Sequence, residues 1–358
     1  GNMMGAYYFT QNAITHNKKV DELNSKLEAG EEPFVPLKPI VGSEFFVCED
    51  HTNKNVKDNG YQMVILAKNK NGYHNLAKMS SLSHTHGFYY VPRIDKKIIE
   101  AHKEDLIVLS GNLYGEIASK ILNIGEKQAE EALIYWKEQF GPDFYLEIMR
   151  HGQENEDHVN EVIIRLAKKH DVKLIATNNT FYTNKDESNA HDILLCVKDN
   201  EKVATPKGRG KGFRYGLPND EYYFKSQDQM KKLFADIPEA ITNIQDIVDQ
   251  IEVYTLARDV LLPKFDIPER FIHEEDAKDG GVRGENAYLK YLTYEGAKIR
   301  WGEELDEKIR ERLDFELSII EKTGYPGYFL IVWDFIREAR EMGVSVGPGR
   351  GLSLIHIS

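Results

Sequence analysis

The stretch FYLEIMRHGQENEDHVNEVIIRLAKKHDVKLIATNN, Phe144 to Asn179, decides how the chain is read. It opens and closes on short apolar runs, Phe144 to Gly152 and Val172 to Asn179. Between them Val159, Val162, Ile163, Leu166 and Ala167 recur at i, i+3, i+4, i+7 and i+8, the spacing of one buried helix face. Strand, helix, strand is the unit of an α/β domain, open or closed into a barrel. Working outward, Asp105 to Gly111 (DLIVLSG) reads as a further strand. Ala129, Ala132, Leu133, Trp136 and Phe140 mark a further helix. Continuous apolar strands of this kind suit a parallel sheet buried on both faces. Pro39 to Val47 and Tyr61 to Lys68 read as two strands of a hairpin, with the polar run Glu49 to Gly60 as its loop. Barrel sites gather past strand C-termini. Those ends carry Ser110-Gly111-Asn112, Arg150-His151-Gly152 and Thr177-Asn178-Asn179.

After Tyr215 the texture changes. Ser226 to Ile251 reads as two helices broken at Pro238. Pro263, Pro268 and the polar stretch His273 to Gly281 form the best linker. Helices follow over Glu285 to Trp301 and Leu305 to Thr323, then GYPGYFLIVWDFI (Gly324 to Ile336) and GVSVGPGRG (Gly343 to Gly351). The chain has 358 residues, long enough for two domains, with 41% hydrophobic and 29% charged residues, which excludes a disordered chain. No apolar stretch approaches the length of a membrane span, and no signal peptide is visible. Two cysteines, Cys48 and Cys196, make no disulfide scaffold, so a reducing cytoplasm is the expected compartment.

The net charge of −12 argues against a chain coated for nucleic acid. One basic run stands out: Lys202 to Arg214 (KVATPKGRGKGFR) holds five positive residues and no acid. It reads as a solvated glycine-rich loop, with phosphate contact as the alternative. GPGRG is a donor-rich turn able to hold a phosphate, though such a turn is commonly only a turn. Glu44 on its strand, His84 and His86 in an H-x-H taken as a polar loop, and His151 at a strand end are residue types that ligate divalent metals.

Taken in order, PIVGSEF, GYHNLAKMSSLSH, SGNLYGEI, YLEIMRHG, ATNNTFY with NAHDILLCV, LFADIPEAITN and GYPGYFLIVWDFI…GVSVGPGRG closely resemble the alpha-subunit family of bacterial replicative DNA polymerase III. The resemblance covers residues 1 to 351. It implies a distorted β/α barrel of the polymerase-and-histidinol-phosphatase (PHP) type over residues 1–263, its N-terminal strand missing. It further implies a mainly helical start of a polymerase palm domain over 264–351. Residues 352–358 depart from the family pattern and read as a non-native tail, and residues 15–37 read as a local insertion. Gly347, Gly349, Arg350 and Gly351 are implied as a phosphate-side loop. The Mg²⁺-binding aspartates of the family lie outside the chain, so no catalytic residue is expected in it. The implied partners are primer-template DNA, deoxynucleoside triphosphates, a proofreading exonuclease subunit, the sliding clamp and clamp-loader subunits. The alternative is a metal-dependent phosphoesterase or 3′–5′ exonuclease in the barrel. Against it, Asn112, Asn179 and Phe181 stand where metal-binding relatives carry Cys, Asp and His. Glu44, His84, His86 and His151 are then weak ligands of a degenerate site, and Phe181 is expected to plug the strand end.

Overall fold

The computed structural model describes residues 2–28, 30–208, 210–258 and 263–347. The chain falls into two compact units, Gly1–Arg258 and Asp259–Ser358.

The first unit runs α1 (Ala6–Asn24), β1 (Gly42–Cys48), β2 (Tyr61–Ala67), α2 (Lys70–Thr85), β3 (Arg93–Asp95), α3 (Lys96–Ala101), β4 (Leu106–Leu109), α4 (Glu116–Asn123) and α5 (Glu126–Phe140). It continues with β5 (Phe144–Ile148), α6 (Glu154–His170), β6 (Leu174–Ala176), α7 (Ser188–Asp199), α8 (Gln227–Leu233) and α9 (Glu239–Gln250). The six strands form one sheet in the order β3-β1-β2-β4-β5-β6. The α/β class holds, but the sheet is mixed. β1 and β2 are an antiparallel hairpin in the register Glu44↔Val64, and β2 pairs antiparallel with β4. Only β1–β3, β4–β5 and β5–β6 are parallel. The reason is the hairpin itself: inserting β2 between β1 and β4 reverses direction once on each side.

The alternation of side chains across the strands divides the apolar residues between two faces. Phe45, Val47, Met63, Ile65, Val108, Phe144, Leu146 and Ile148 pack with α2, α4, α5 and α6 in the main core. Val159, Val162, Ile163, Leu166 and Ala167 are all buried there, as are Ala129, Ala132, Leu133, Trp136 and Phe140. The opposite face carries Ile107, Leu109, Tyr145 and Ile175, which pack against Ile247 and Ile251 at the end of α9. Glu44 and Glu147 differ in parity from the core residues Phe45 and Leu146. They therefore share this second, less covered face.

The segment after α1 returns along the helix. Asn17 exchanges hydrogen bonds with the backbone of Leu37, and Asn24 with that of Phe34. The charged run 15–37 is thus half helix and half strap. The stretch holding His84 and His86 is helical, not loop. Gly72, Leu76, Met79 and Ser83 recur at helical spacing and are buried, and Asn69 caps the helix by accepting the Gly72 N–H at 3.1 Å. His84 lies in the last turn of α2 and His86 is its C-cap.

The second unit is helical: α10 (Asp276–Asp279), α11 (Val282–Trp301), α12 (Glu307–Thr323) and α13 (Pro326–Glu341). GYPGYFLIVWDFI starts α13, with Pro326 in the first turn where its missing N–H costs nothing. Pro326, Gly327 and Leu330 are buried. Gly327 lies so close to the Glu285 carboxylate that a Cβ would stand 2.7 Å from it.

Candidate functional site

His151 is the centre of the arrangement beyond β5. Its side chain is 1% exposed. Nδ1 lies 2.7 Å from Glu156 Oε1, and the His151 backbone N–H donates to Glu156 Oε2 at 2.6 Å. Glu156 sits in the first turn of α6, where the helix dipole favours a negative charge. Nε2 accepts the backbone N–H of Asn179 at 3.2 Å. The partners set the tautomer: Nδ1 carries the proton toward Glu156, and Nε2 offers its lone pair to the amide. Neither ring nitrogen is left open. Tyr222 stacks on the ring, centroids 4.3 Å apart and planes 8° from parallel. Its hydroxyl accepts from Gln153 Nε2 at 2.6 Å, and burial pushes the phenol up. Arg150, next in line, clamps Asp236 through two hydrogen bonds of 2.6 and 2.8 Å and ties the strand end to the α8–α9 turn.

A small cavity of about 90 Å³ beside this pair is lined by His151, Asn112, Asn179 and Phe181 among others. Four of the residues singled out in the sequence therefore meet. Asn112 is engaged on both ends of its amide: it donates to Gln62 Oε1 at 3.0 Å and accepts the Tyr114 N–H at 2.8 Å. Phe181 does not plug the strand end. It is 44% exposed at the rim, its ring beside those of His191 and Tyr222. The backbone hydrogen bond from Phe181 N–H to Tyr222 C=O holds it on the outer segment rather than under the strand.

Glu44 and His84 line a different cavity, an open one of about 940 Å³ shared with Ser43, Ser80 and Ser81. His84 Nδ1 lies 2.9 Å from the Ser80 carbonyl, which places the ring proton there and leaves Nε2 as the acceptor. Burial of part of the Glu44 carboxyl raises its pKa. His86 is exposed, with Nδ1 2.8 Å from Thr85 Oγ1. The sequence candidates are thus split between two places. Among the described residues the one group of three metal-ligating side chains is a different set, Asp50, His51 and Asp95, with ligand atoms within 4.8 Å of one another. Those atoms have work already. His51 Nδ1 is 2.6 Å from Asp95 Oδ2, Asp95 Oδ1 caps α3, and Asp50 Oδ1 accepts from Thr52 twice.

Two acids escaped the sequence reading. Glu156 lies among the acids opening a helix, where nothing sets it apart. Glu147 does leave a signal, a lone carboxylate inside the apolar run FYLEI. It is 4% exposed, and burial raises its pKa to about 7. Gly111 N–H donates to its Oε2 at 2.6 Å. Gly111 adopts φ +84°, and a Cβ there would stand 2.5 Å from the Gln62 carbonyl. Only glycine allows this approach. Of the GPGRG loop, Gly347 is exposed in this structure. Gly349, Arg350 and Gly351 lie outside the described residues, as does the closing segment 352–358.

Residues 1–151 match the PHP domain family, and residues 287–353 match the bacterial DNA polymerase III alpha NTPase domain. A DNA polymerase III subunit alpha from Borreliella burgdorferi is 37% identical over 320 residues, covering 88% of this chain and 26% of the relative. The Helicobacter pylori protein of that name is 36% identical over 332 residues, covering 88% and 27%. That of Treponema pallidum is 34% identical over 320 residues, covering 88% and 26%. The chain spans about a quarter of the length of these relatives. The chain carries a PHP domain, and along 88% of its length it is similar to curated DNA polymerase III alpha subunits.

Proposed function

We propose that the chain is part of a replicative DNA polymerase that adds deoxynucleoside triphosphates to a primer end on a template. The observation that carries this is the match to curated alpha subunits along 88% of the chain. In such an enzyme two Mg²⁺ ions stabilise the attacking and leaving oxygens. Their aspartate ligands are expected outside this chain. Residues 264–351 then begin the palm, with Gly347, Gly349, Arg350 and Gly351 facing a phosphate, and the whole protein works in the cytoplasm with clamp, clamp-loader and exonuclease partners.

The PHP unit is then a structural and docking module rather than a phosphoesterase. What supports this is the donor set. His151 has both nitrogens engaged, Asn112 has its amide engaged, and Phe181 offers no ligand atom. A hydrolytic metal needs several imidazole or carboxylate ligands converging at about 2.0–2.3 Å. These residues do not fit one.

Primer extension tests the reading. Protein made from the intact gene is expected to extend a primer with Mg²⁺, and this chain alone to add no nucleotide. Failure of the intact protein to extend any primed template would overturn it. In that protein, dialysis against a chelator is expected to leave well under one equivalent of zinc or manganese in the PHP unit. Near-stoichiometric retention, lost on changing His151 to Ala, would return the phosphoesterase.

A further inference from the structure

The cavity of about 90 Å³ beside His151 is amide-bearing, ringed by aromatic side chains and nearly free of charge. Among the described residues that line it, Glu156 alone is ionised, and no lysine or arginine joins it. Both Glu156 oxygens are already taken, by the His151 ring and by its backbone N–H. The phenols of Tyr215 and Tyr222 are uncharged at ordinary pH. An anion would meet a carboxylate here and no cation. A cation would find no open imidazole nitrogen and no open carboxylate oxygen. The recess therefore suits a neutral ligand.

Shape and polarity narrow the ligand further. The His151 and Tyr222 rings, 4.3 Å apart and 8° from parallel, form a flat buried wall. Phe181 and Tyr215 also line the recess, and they are 44% and 51% exposed, so their rings stand at its mouth. Two amides keep free hydrogen-bonding capacity. The Asn179 side chain makes no hydrogen bond among the described residues, although its backbone N–H binds His151 Nε2. Gln153 gives its N–H₂ to the Tyr222 hydroxyl and keeps its carbonyl oxygen. A carboxamide presents a donor and an acceptor side by side, the complement of a nucleobase edge. The volume is the share of about three liquid waters, enough for one six-membered ring but not for a sugar or a phosphate.

We propose that this recess binds a single nucleobase, its edge on the Asn179 amide and its face against Phe181 and Tyr215, with the sugar outside. Stacking on aromatic side chains, with hydrogen bonds to the base edge, is how proteins hold a base taken out of the stack. Adenine fits best, because its N6 amino group and neighbouring ring nitrogen give a carboxamide two bonds at once. The base is that of a free nucleoside or of an unpaired residue in a strand. No bond is made or broken, so the inference goes beyond a docking role without returning a phosphoesterase. It rests on the reading that the recess holds no metal. Metal content and nucleoside binding are separate readouts, so either can fail alone.

Saturation-transfer NMR titrations of the full chain, with a chelator present, test it. The probes are deoxyadenosine, thymidine, oligodeoxyadenylate and p-cresol, the last standing for a tyrosine side chain of a protein partner. Weak, saturable binding of deoxyadenosine is expected, several-fold tighter than that of thymidine. A tighter oligodeoxyadenylate complex would identify a strand as the source of the base; nucleoside binding without it would identify the free nucleoside. Phe181→Ala, at an exposed ring, should leave the melting temperature unchanged and weaken deoxyadenosine binding about fivefold or more, the loss of one base stack. Asn179→Ala should fold and lose the preference for adenine over thymine. Binding of p-cresol without deoxyadenosine would give the recess to a protein partner and overturn the proposal. Absence of nucleoside binding would overturn it too, as would binding that both variants leave unchanged.

Discussion

Replacing Glu147 by Gln is expected to stabilise the chain by about 3 kcal/mol at pH 8 and to do almost nothing at pH 4. The Glu147 carboxyl is buried on β5, and burial lifts its pKa from 4.5 to about 7. A raised carboxyl pKa means that the folded chain holds the proton more tightly than the unfolded chain does. Below pH 4.5 both states are protonated and the group is neutral in each. Between 4.5 and 7 the unfolded state loses its proton first, so stability falls as pH rises. Above 7 the folded state must bury an anion, with Glu44 raising the cost. The Gly111 N–H offsets part of it, and the Thr177 hydroxyl nearby has no other partner. A glutamine keeps an oxygen for Gly111 and offers an N–H₂ to Thr177. Urea titrations of both proteins from pH 4 to 8 would show the difference opening across that window. Parallel stability curves would mean that Glu147 is solvated or already paired.

The legibility of this chain follows from which interactions are local. The βαβ unit from Phe144 to Asn179 could be read because helix and strand periods differ and each apolar position reports its own face. The β1–β2 hairpin and the parallel run β4, β5, β6 could be read as well; the place of β2 beside β4 could not, because that pairing joins segments with α2, β3 and α3 between them. Leu76 and Met79 do carry the helical period of α2. Serines, an asparagine and a histidine around them made the segment resemble a loop. Ser81 and Thr85, which might have loosened it, instead return hydrogen bonds to Ala77 and Ser81 carbonyls one turn back.

The candidate site divides along similar lines. His151, Asn112, Asn179 and Phe181 are brought together because they follow or sit at strand C-termini, a rule of topology that sequence can carry. Glu44 and His84 face a second cavity because Glu44 lies at mid-strand rather than at a strand end. The role of Glu156 was hidden: a carboxylate at a helix start is common, and only the fold shows it gripping both the ring and the backbone N–H of His151. Tyr222 was equally hidden, since it reaches the imidazole from about 70 residues away.

Arg93→Ala should cost about 3–5 kcal/mol, because it empties a fully buried site and leaves several buried backbone carbonyls without their donor. Arg93 sits on β3 with no exposed surface. Its guanidinium donates to four backbone carbonyls, those of Gly87, Asp58, His51 and Asn53, at 3.1, 2.9, 3.3 and 3.0 Å. Three of these belong to the β1–β2 loop, so this one side chain holds the loop against the edge strand. Gly87 permits the approach: a Cβ there would stand 1.9 Å from the Arg93 carbonyl. Tyr89 adds its ring face, 5.3 Å from the guanidinium. Lysine cannot substitute, because a single ammonium lacks the planar fork that reaches carbonyls on separate segments. Arg93→Lys should therefore recover less than half of the loss. Asp95 lies two residues away and fastens His51, so loosening the loop should also raise amide exchange at His51 and Asn53 before global unfolding. Unfolding titrations with hydrogen exchange would check both. Exchange at those amides that stays at wild-type rates in Arg93→Ala, with a stability loss under about 1 kcal/mol, would show that water replaces the guanidinium without consequence.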